Sequence, residues 1–167
     1  MNGSEHGLLP LYKPPEMTSF EALHDIKKKL GLKKVGHAGT LDRFAEGLLI
    51  VLTGKMTKLV SFFSNLNKTY IAAIRFGEET DTLDPEGNVV SSTEIIPTRR
   101  EIEQTLPDFT GMIKQRPPLY SAVHVGGKRA YERARSGEDF QTREREVSIS
   151  SLELLDYTNQ TAVIKTV

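Results

Sequence analysis

The sequence predicts a fold that combines helices with β-strands, and three observations lead there. Thr18 with Glu21, and Thr98 with Glu101, are capping-box patterns placed ahead of apolar residues at helical spacing. Leu48-Leu49-Ile50-Val51-Leu52 is an apolar run that reads as a buried strand. In KTYIAAIRF, residues 68–76, Tyr70, Ala72, Ile74 and Phe76 fall on one face by alternation, the period of a strand.

In chain order, Gly7–Lys13 reads as a short strand, and Pro10, lacking an amide hydrogen, puts it at a sheet edge. Pro14-Pro15 stops it. A helix follows from Thr18, with Phe20, Leu23, Ile26 and Leu30 as its apolar face and Gly31 as its stop. Lys27, Lys28 and Lys29 fall in its last turn, where cations favour the helix dipole. His24 lies on its polar side, and neither His24 nor His6 is assigned a role. Gly36–Gly47, GHAGTLDRFAEG, is an irregular loop leading into the apolar strand. Gly54 then turns the chain into an amphipathic helix carrying Met56, Leu59, Val60 and Phe63. After the 68–76 strand, GEETDTLDPEG lacks the order of an EF-hand loop, and Asp84-Pro85-Glu86-Gly87 reads as a turn, with no metal. Ile102, Leu106 and Phe109 form the stripe of a helix that ends before Gly111. Pro117-Pro118 sets an extended backbone. Tyr120–Val125 reads as a strand, Gly126-Gly127 as a tight turn and Lys128–Arg135 as a short basic helix. Arg143–Leu155 reads as one long strand, and Thr161–Val167 begins another.

At 167 residues the chain suits one domain able to bury roughly 70% of the surface its unfolded form exposes. It has no cysteine, which excludes disulfides and thiolate metal sites and is compatible with a reducing compartment. Its longest apolar run is far below membrane-spanning length, and MNGSEHG has no signal-peptide pattern, so a soluble cytoplasmic protein is expected. The net charge of zero argues against a generic nucleic-acid binder, but the charges are segregated. Residues 27–58 carry eight Lys/Arg against Asp42 and Glu46. Residues 112–137 carry six against Glu132, and residues 77–108 carry nine acids against Arg99 and Arg100.

The Gly36–Gly47 loop admits three readings. It is a glycine-rich connection with an ordinary surface aspartate, or a phosphate cradle, or a reactive carboxylate set on a loop by a rigid scaffold. The cradle is the weakest, because the spacing matches neither GxxxxGK[ST] nor GxGxxG. The stretch from Gln115 to Gly137 interleaves basic residues with Tyr120 and Tyr131, which suits RNA, since arginines meet phosphates and rings stack on exposed bases. Solvated helix faces also produce charge runs of this kind.

GHAGTLD, followed by a small residue, Gly and two apolar residues, resembles the central motif of the bacterial TruB family, the tRNA pseudouridine-55 synthases, which isomerise one uridine of the T-loop. The resemblance implies that Asp42 is the catalytic residue and that His37 helps displace the target base. Arg43 stands where the family usually has Pro, which leaves the loop less constrained and adds a charge beside the carboxylate. YKPPEMTSF is similar to the family's NKPxGMTS motif, which implies that Lys13 and Pro14 pack near the active loop. Tyr70, after a basic residue at the start of its strand, matches the tyrosine that stacks on the flipped uracil. QRPPLYSAVHVGGKRAYERAR matches QxPPxYSAxKxxGxRxYxxAR, part of the region that embraces the T-loop, with His124 where Lys is common. By the same resemblance Gln115, Tyr120, Lys128 and Arg129 join His37, Tyr70 and Lys13 as substrate-binding residues.

The fold so implied is α+β, with a mixed, mostly antiparallel sheet flanked by helices. The partner implied is tRNA, with no cofactor, no metal, no membrane and no obligatory protein partner. Family members continue into a GTYIR-like strand whose Arg pairs with the catalytic Asp, and then into a small RNA-binding domain. Residues 1–167 are therefore expected to be the catalytic domain, incomplete at its C-terminus and poorly active alone. A non-catalytic T-loop-binding fragment is the alternative, and a metal-free phosphate-binding enzyme is the third reading.

Overall fold

The computed structural model describes residues 6–121 and 123–167, so the MNGSE start and Ala122 lie outside it. The chain divides into two compact units, Met1–Asn67 and Lys68–Val167.

The first unit contains β1 (Gly7–Lys13), α1 (Ser19–Lys29), β2 (Val35–His37), β3 (Gly47–Thr53), a 3-10 turn (Gly54–Leu59) and α2 (Val60–Ser64). The expected helix around Met56–Phe63 is thus split between two helix types. The sheet order is β1-β3-β2, antiparallel throughout, with Pro10 opposite Ile50 on an edge strand, as its missing amide hydrogen requires. Leu49 and Val51 of β3 meet Ala22 and Leu23 of α1, and Leu9, Leu11, Met17 and Val35 close around them. The α1 capping box is made in full. Thr18 Oγ1 accepts from the Glu21 amide at 3.2 Å, and Glu21 Oε2 accepts from the Thr18 amide at 2.7 Å. Gly31 takes φ 63, the left-handed conformation that ends a helix at low cost.

The buried face of α1 differs from the expected stripe. Ser19, Ala22 and Leu23 are buried, whereas Phe20 is 76% and Leu30 59% exposed. One residue turns a helix by about 100°, so a face centred on Ser19 and Leu23 points Phe20 sideways. Leu30 is the C-cap beyond the last turn.

The second unit contains β4 (Tyr70–Arg75), β5 (Glu78–Thr80), β6 (Val89–Ser92), α3 (Arg99–Thr105) with a 3-10 extension (Leu106–Phe109), and β7 (Gly111–Gln115). It continues with β8 (His124–Val125), β9 (Lys128–Arg129), α4 (Ala130–Arg135), β10 (Arg145–Ile149), β11 (Leu152–Thr158) and β12 (Thr161–Thr166). β12 lies between β11 and β4, β10 pairs with β7, and β5-β6 and β8-β9 are hairpins. Every one of these pairings is antiparallel, so the structure is α+β. Ile102 packs on Ala162 and Ile164, with Phe76, Leu106, Leu152, Leu154 and Tyr157 around them. Tyr157 Oη donates to the Pro97 carbonyl at 2.6 Å, which ties the approach to α3 onto β11.

Three expectations are corrected here. Residues 143–155 form two strands, because the apolar phase slips by one between Ile149 and Leu152 and a one-residue slip reverses every side chain. The chain breaks at Ser150-Ser151, where the Ser150 amide donates to Val167 O at 2.8 Å and the Val167 amide to Ser151 O at 3.0 Å. Of the strand expected over Tyr120–Val125, Ala122 lies outside the described residues and, among the others, only His124–Val125 are strand, while the helix starts at Ala130. The Gly126-Gly127 turn pairs Lys128 and Arg129 back onto Val125 and His124, removing them from the helix. The strand at Gly111–Gln115 is additional to what the sequence indicated.

The acidic segment is a hairpin whose carboxylates close its own turn. Asp84 Oδ1 accepts from Thr82 Oγ1 at 2.6 Å and the Glu86 amide at 2.9 Å, and Asp81 Oδ1 accepts from the Asn88 amide at 2.9 Å.

Candidate active site

At one end of the first unit's sheet, β1 finishes at Lys13 and β3 begins at Gly47, opposite it. Residues 38–46 span the gap between β2 and β3, so topology alone brings the Asp42 loop to Lys13, while His37, opposite Val51, lies further along β3 and leads into the loop.

Among the described residues, four side-chain links tie this loop to the stretch that runs from the end of β1 to the start of α1. Ser19, 2% exposed, both donates to Leu41 O at 3.1 Å and accepts from the Leu41 amide at 3.0 Å. Lys13, 0% exposed, donates from its ammonium to Pro14 O at 2.9 Å, Met17 O at 2.6 Å and Arg43 O at 3.4 Å. Arg43 reaches Glu16. Tyr12 donates its phenol hydrogen to Glu46, and that bond to a carboxylate holds the phenol above its ordinary value of 10.0. The residues flanking Asp42 on both sides are therefore held, Leu41 by Ser19 and Arg43 by Lys13. Asp42 itself is exposed, and among the described residues its carboxylate takes part in no hydrogen bond or ion pair.

His37 is half-buried on β2 opposite Val51, and its Nδ1 lies 2.5 Å from Gly39 O. A carbonyl only accepts, so Nδ1 carries the hydrogen and the ring's orientation is fixed by the loop it precedes.

The remaining sequence-read residues belong to the second unit. Tyr70 begins β4 opposite Thr166 and is 46% exposed. Gln115 ends β7, where its Oε1 accepts from Arg145 Nε at 3.2 Å and Nη2 at 2.9 Å. Tyr120 is 37% exposed in a turn ahead of β8. The stretch that follows is closed by the Tyr131 amide on Ser121 O at 3.1 Å and by buried Thr142 Oγ1 on Pro117 O at 2.5 Å. Lys128 lies 3.8 Å from Glu138, and the Arg129 amide donates to Glu132 Oε2 at 3.2 Å. Arg133 is more tightly engaged, with Nε 2.6 Å from Glu138 Oε2 and its guanidinium 4.9 Å from the Phe140 ring centre. That contact holds the Glu138 carboxyl below the ordinary 4.5. An open groove beside α3 and β11, lined by Glu103, Leu106, Thr110, Leu152 and Leu154, contains none of these residues.

Sequence reasoning did not single out Ser19, Tyr12, Glu16 or Glu46. Only the proximity of Ser19 to a recognisable cap pointed to it. The pairings of the other three span 27 to 34 residues and have no local signature. Among the described residues no cluster of His, Asp or Glu is arranged to hold a metal ion, and no helix is long and apolar enough to cross a membrane.

Residues 27–167 match the family model described as TruB family pseudouridylate synthase, N-terminal domain. The chain is 48% identical over 153 residues to the tRNA pseudouridine synthase B of Borreliella burgdorferi strain ZS7, covering 92% of this chain and 54% of that protein. It is 48% identical over 147 residues to the protein of the same name from Treponema denticola, covering 88% of this chain and 41% of that one. The chain thus spans about half the length of the curated relatives it matches. Its fold resembles a chain in the crystal structure of a Cbf5-Nop10-Gar1 complex, with TM-score 0.69 and 29% identity over 97% of this chain and 39% of that one.

Proposed function

The chain belongs to the TruB family of pseudouridylate synthases, and we infer from this that it bears the catalytic aspartate of an enzyme converting a T-loop uridine of tRNA to pseudouridine. One observation carries the inference to a residue. The Asp42 loop is anchored on both sides of Asp42, while the carboxylate itself is exposed and unpaired among the described residues. A reactive carboxylate must be held in a fixed geometry and still be open to its substrate, and a loop anchored on both sides of an exposed Asp42 meets both needs.

The isomerisation breaks the bond from uracil N1 to the ribose C1′ and joins C5 to C1′. N1 takes up a proton, and the hydrogen on C5 is released to solvent. Asp42 serves either as nucleophile at C1′ or as counter-charge to a cationic sugar, and both roles need an ionised group at the sugar-base junction. Taking a base out of its stack costs a few kcal/mol. Stacking on the Tyr70 ring returns about 1–3 kcal/mol of that. His37, its ring fixed by Gly39 O, fills the place the base leaves. Lys128 and Arg129, with Gln115 and Tyr120, contact the T-loop backbone and its exposed bases, while Lys13 acts on the substrate through the loop it holds. The chemistry needs no cofactor or metal, requires no protein partner, and fits an enzyme of the cytoplasm.

Asp42→Asn, which keeps size and removes charge, is expected to abolish tritium release from tRNA labelled at uridine C5 while leaving tRNA affinity within about twofold. Turnover by this variant at more than a tenth of the parent rate, on the order of 1.4 kcal/mol, would remove Asp42 from the mechanism. A parent protein that binds T-loops without releasing tritium would favour the binding-fragment reading.

A further inference from the structure

Arg43 follows Asp42 directly, and its guanidinium engages a single residue twice. Nε donates to the backbone carbonyl of Glu16 at 3.4 Å, and Nη2 lies 3.8 Å from the Glu16 carboxylate. Glu16 has φ 61, the left-handed region in which a side chain is strained and glycine is not. Both residues depart from the motif patterns set out above. NKPxGMTS has Gly where YKPPEMTSF has Glu16, and the central motif has Pro where this chain has Arg43. The two departures lie in separate motifs, 27 residues apart, and in the structure they touch.

We propose that Arg43 and Glu16 form a coupled positioning pair that fixes the backbone beside Asp42, in place of the covalent restraint a proline supplies at that point. Resting on the assignment of Asp42 above, the pair acts on turnover by orienting the carboxylate.

An ion pair whose side chains are 57% and 76% exposed contributes little to stability. Its geometry carries more information than its energy. The guanidinium grips both the main chain and the side chain of Glu16, and Lys13 holds Arg43 O in addition. Arg43 is thus tied at its backbone and at its tip, which limits how far the preceding residue can turn. The strained φ of Glu16 gives the pair a signature that a plain stabilising contact lacks. Glu16→Gly relieves the strain and removes the carboxylate together, so fold stability and turnover move in opposite directions.

The experiment compares the full-length protein with Glu16→Gly, Arg43→Ala and the double variant, measuring tritium release at saturating tRNA, KM, thermal melting, and amide exchange at Leu41 and Ala45 without RNA. Glu16→Gly is expected to melt no lower than the parent, to lose about three- to tenfold in kcat with KM little changed, and to exchange faster at Leu41 and Ala45, whose amides donate to Ser19 Oγ and Asp42 O. The double variant is expected to be no slower than Arg43→Ala, because that single variant already removes both contacts, whereas Glu16→Gly removes the ion pair and keeps the backbone carbonyl. Parental kcat and parental amide exchange in Glu16→Gly would overturn the proposal. So would a double variant whose losses multiply. If Arg43→Ala melts early, the Glu16→Gly comparison decides alone. A parent that releases no tritium refutes the isomerase reading, and amide exchange then judges the pair by itself, faster exchange in Glu16→Gly supporting the coupling and unchanged exchange ending it.

Discussion

Ser19 shows how much of the site rests on one hydroxyl. It is buried and satisfies both the amide and the carbonyl of half-buried Leu41. Ser19→Ala strands both groups, so a loss of about 1–3 kcal/mol in unfolding free energy is expected. Chemical denaturation of the variant checks this, and a change under about 0.5 kcal/mol would mean that the Leu41 groups find other partners. Glu21 and Glu101 make a second kind of residue-level statement. Bonds from the Thr18 and Thr98 amides and hydroxyls hold both carboxyls below the ordinary 4.5. A depressed carboxyl contributes stability above its unfolded value and loses it as pH falls through the folded one. Melting temperature is therefore expected to drop as pH falls below about 4.5, and less so when both glutamates are replaced by glutamine. The two caps were legible in the sequence because a cap is a contact across three residues. Lys13 was legible as belonging near the loop, but its burial under three carbonyls was not, since it depends on how the chain folds back over Pro14 and Met17 and on the meeting of β1 with Arg43, 30 residues on.

The elements divide along the same line. β1, α1, β3, β4 and the β5-β6 turn were readable from period, caps and turn residues. The break at Ser150-Ser151 was also written in the sequence, as a shift in apolar phase between Val147-Ile149 and Leu152-Leu154. β7 was not legible, because Gly111 reads as a helix stop and the strand exists only through its register with β10, Gly111 opposite Ile149 and Gln115 opposite Arg145. α4 is where the structure changes the meaning of a basic residue. On charge alone Arg133 ranks with Arg129 as a phosphate contact, yet its guanidinium is bound to Glu138 and lies over Phe140. Arg133→Ala is expected to speed amide exchange across Ala130–Arg135 and to leave the salt slope of tRNA binding nearly unchanged. A slope reduced by about one unit would instead identify Arg133 as a phosphate contact.

Across the molecule, neutral charge conceals two basic stretches and one acidic hairpin. Those stretches make tRNA affinity expected to fall steeply with salt, with a slope of several in a log–log plot, and a flat dependence would remove the electrostatic part of the proposal. The acids at Asp81 and Asp84 are occupied in closing their own turn, so the hairpin's negative charge is a structural by-product of how it folds.

The enclosed ammonium of Lys13 also gives the first unit a built-in chemical clock. The other eleven lysines of the chain are exposed or half-buried. An amine-selective acylating reagent should mark those eleven within the folded protein and reach Lys13 only when β1 parts from the Asp42 loop. The lag of that single modification, followed by peptide mass spectrometry, then measures how often the Asp42 loop comes undone. Bound tRNA that grips the loop would be seen as a longer lag at Lys13, in a protein whose surface amines have already been consumed.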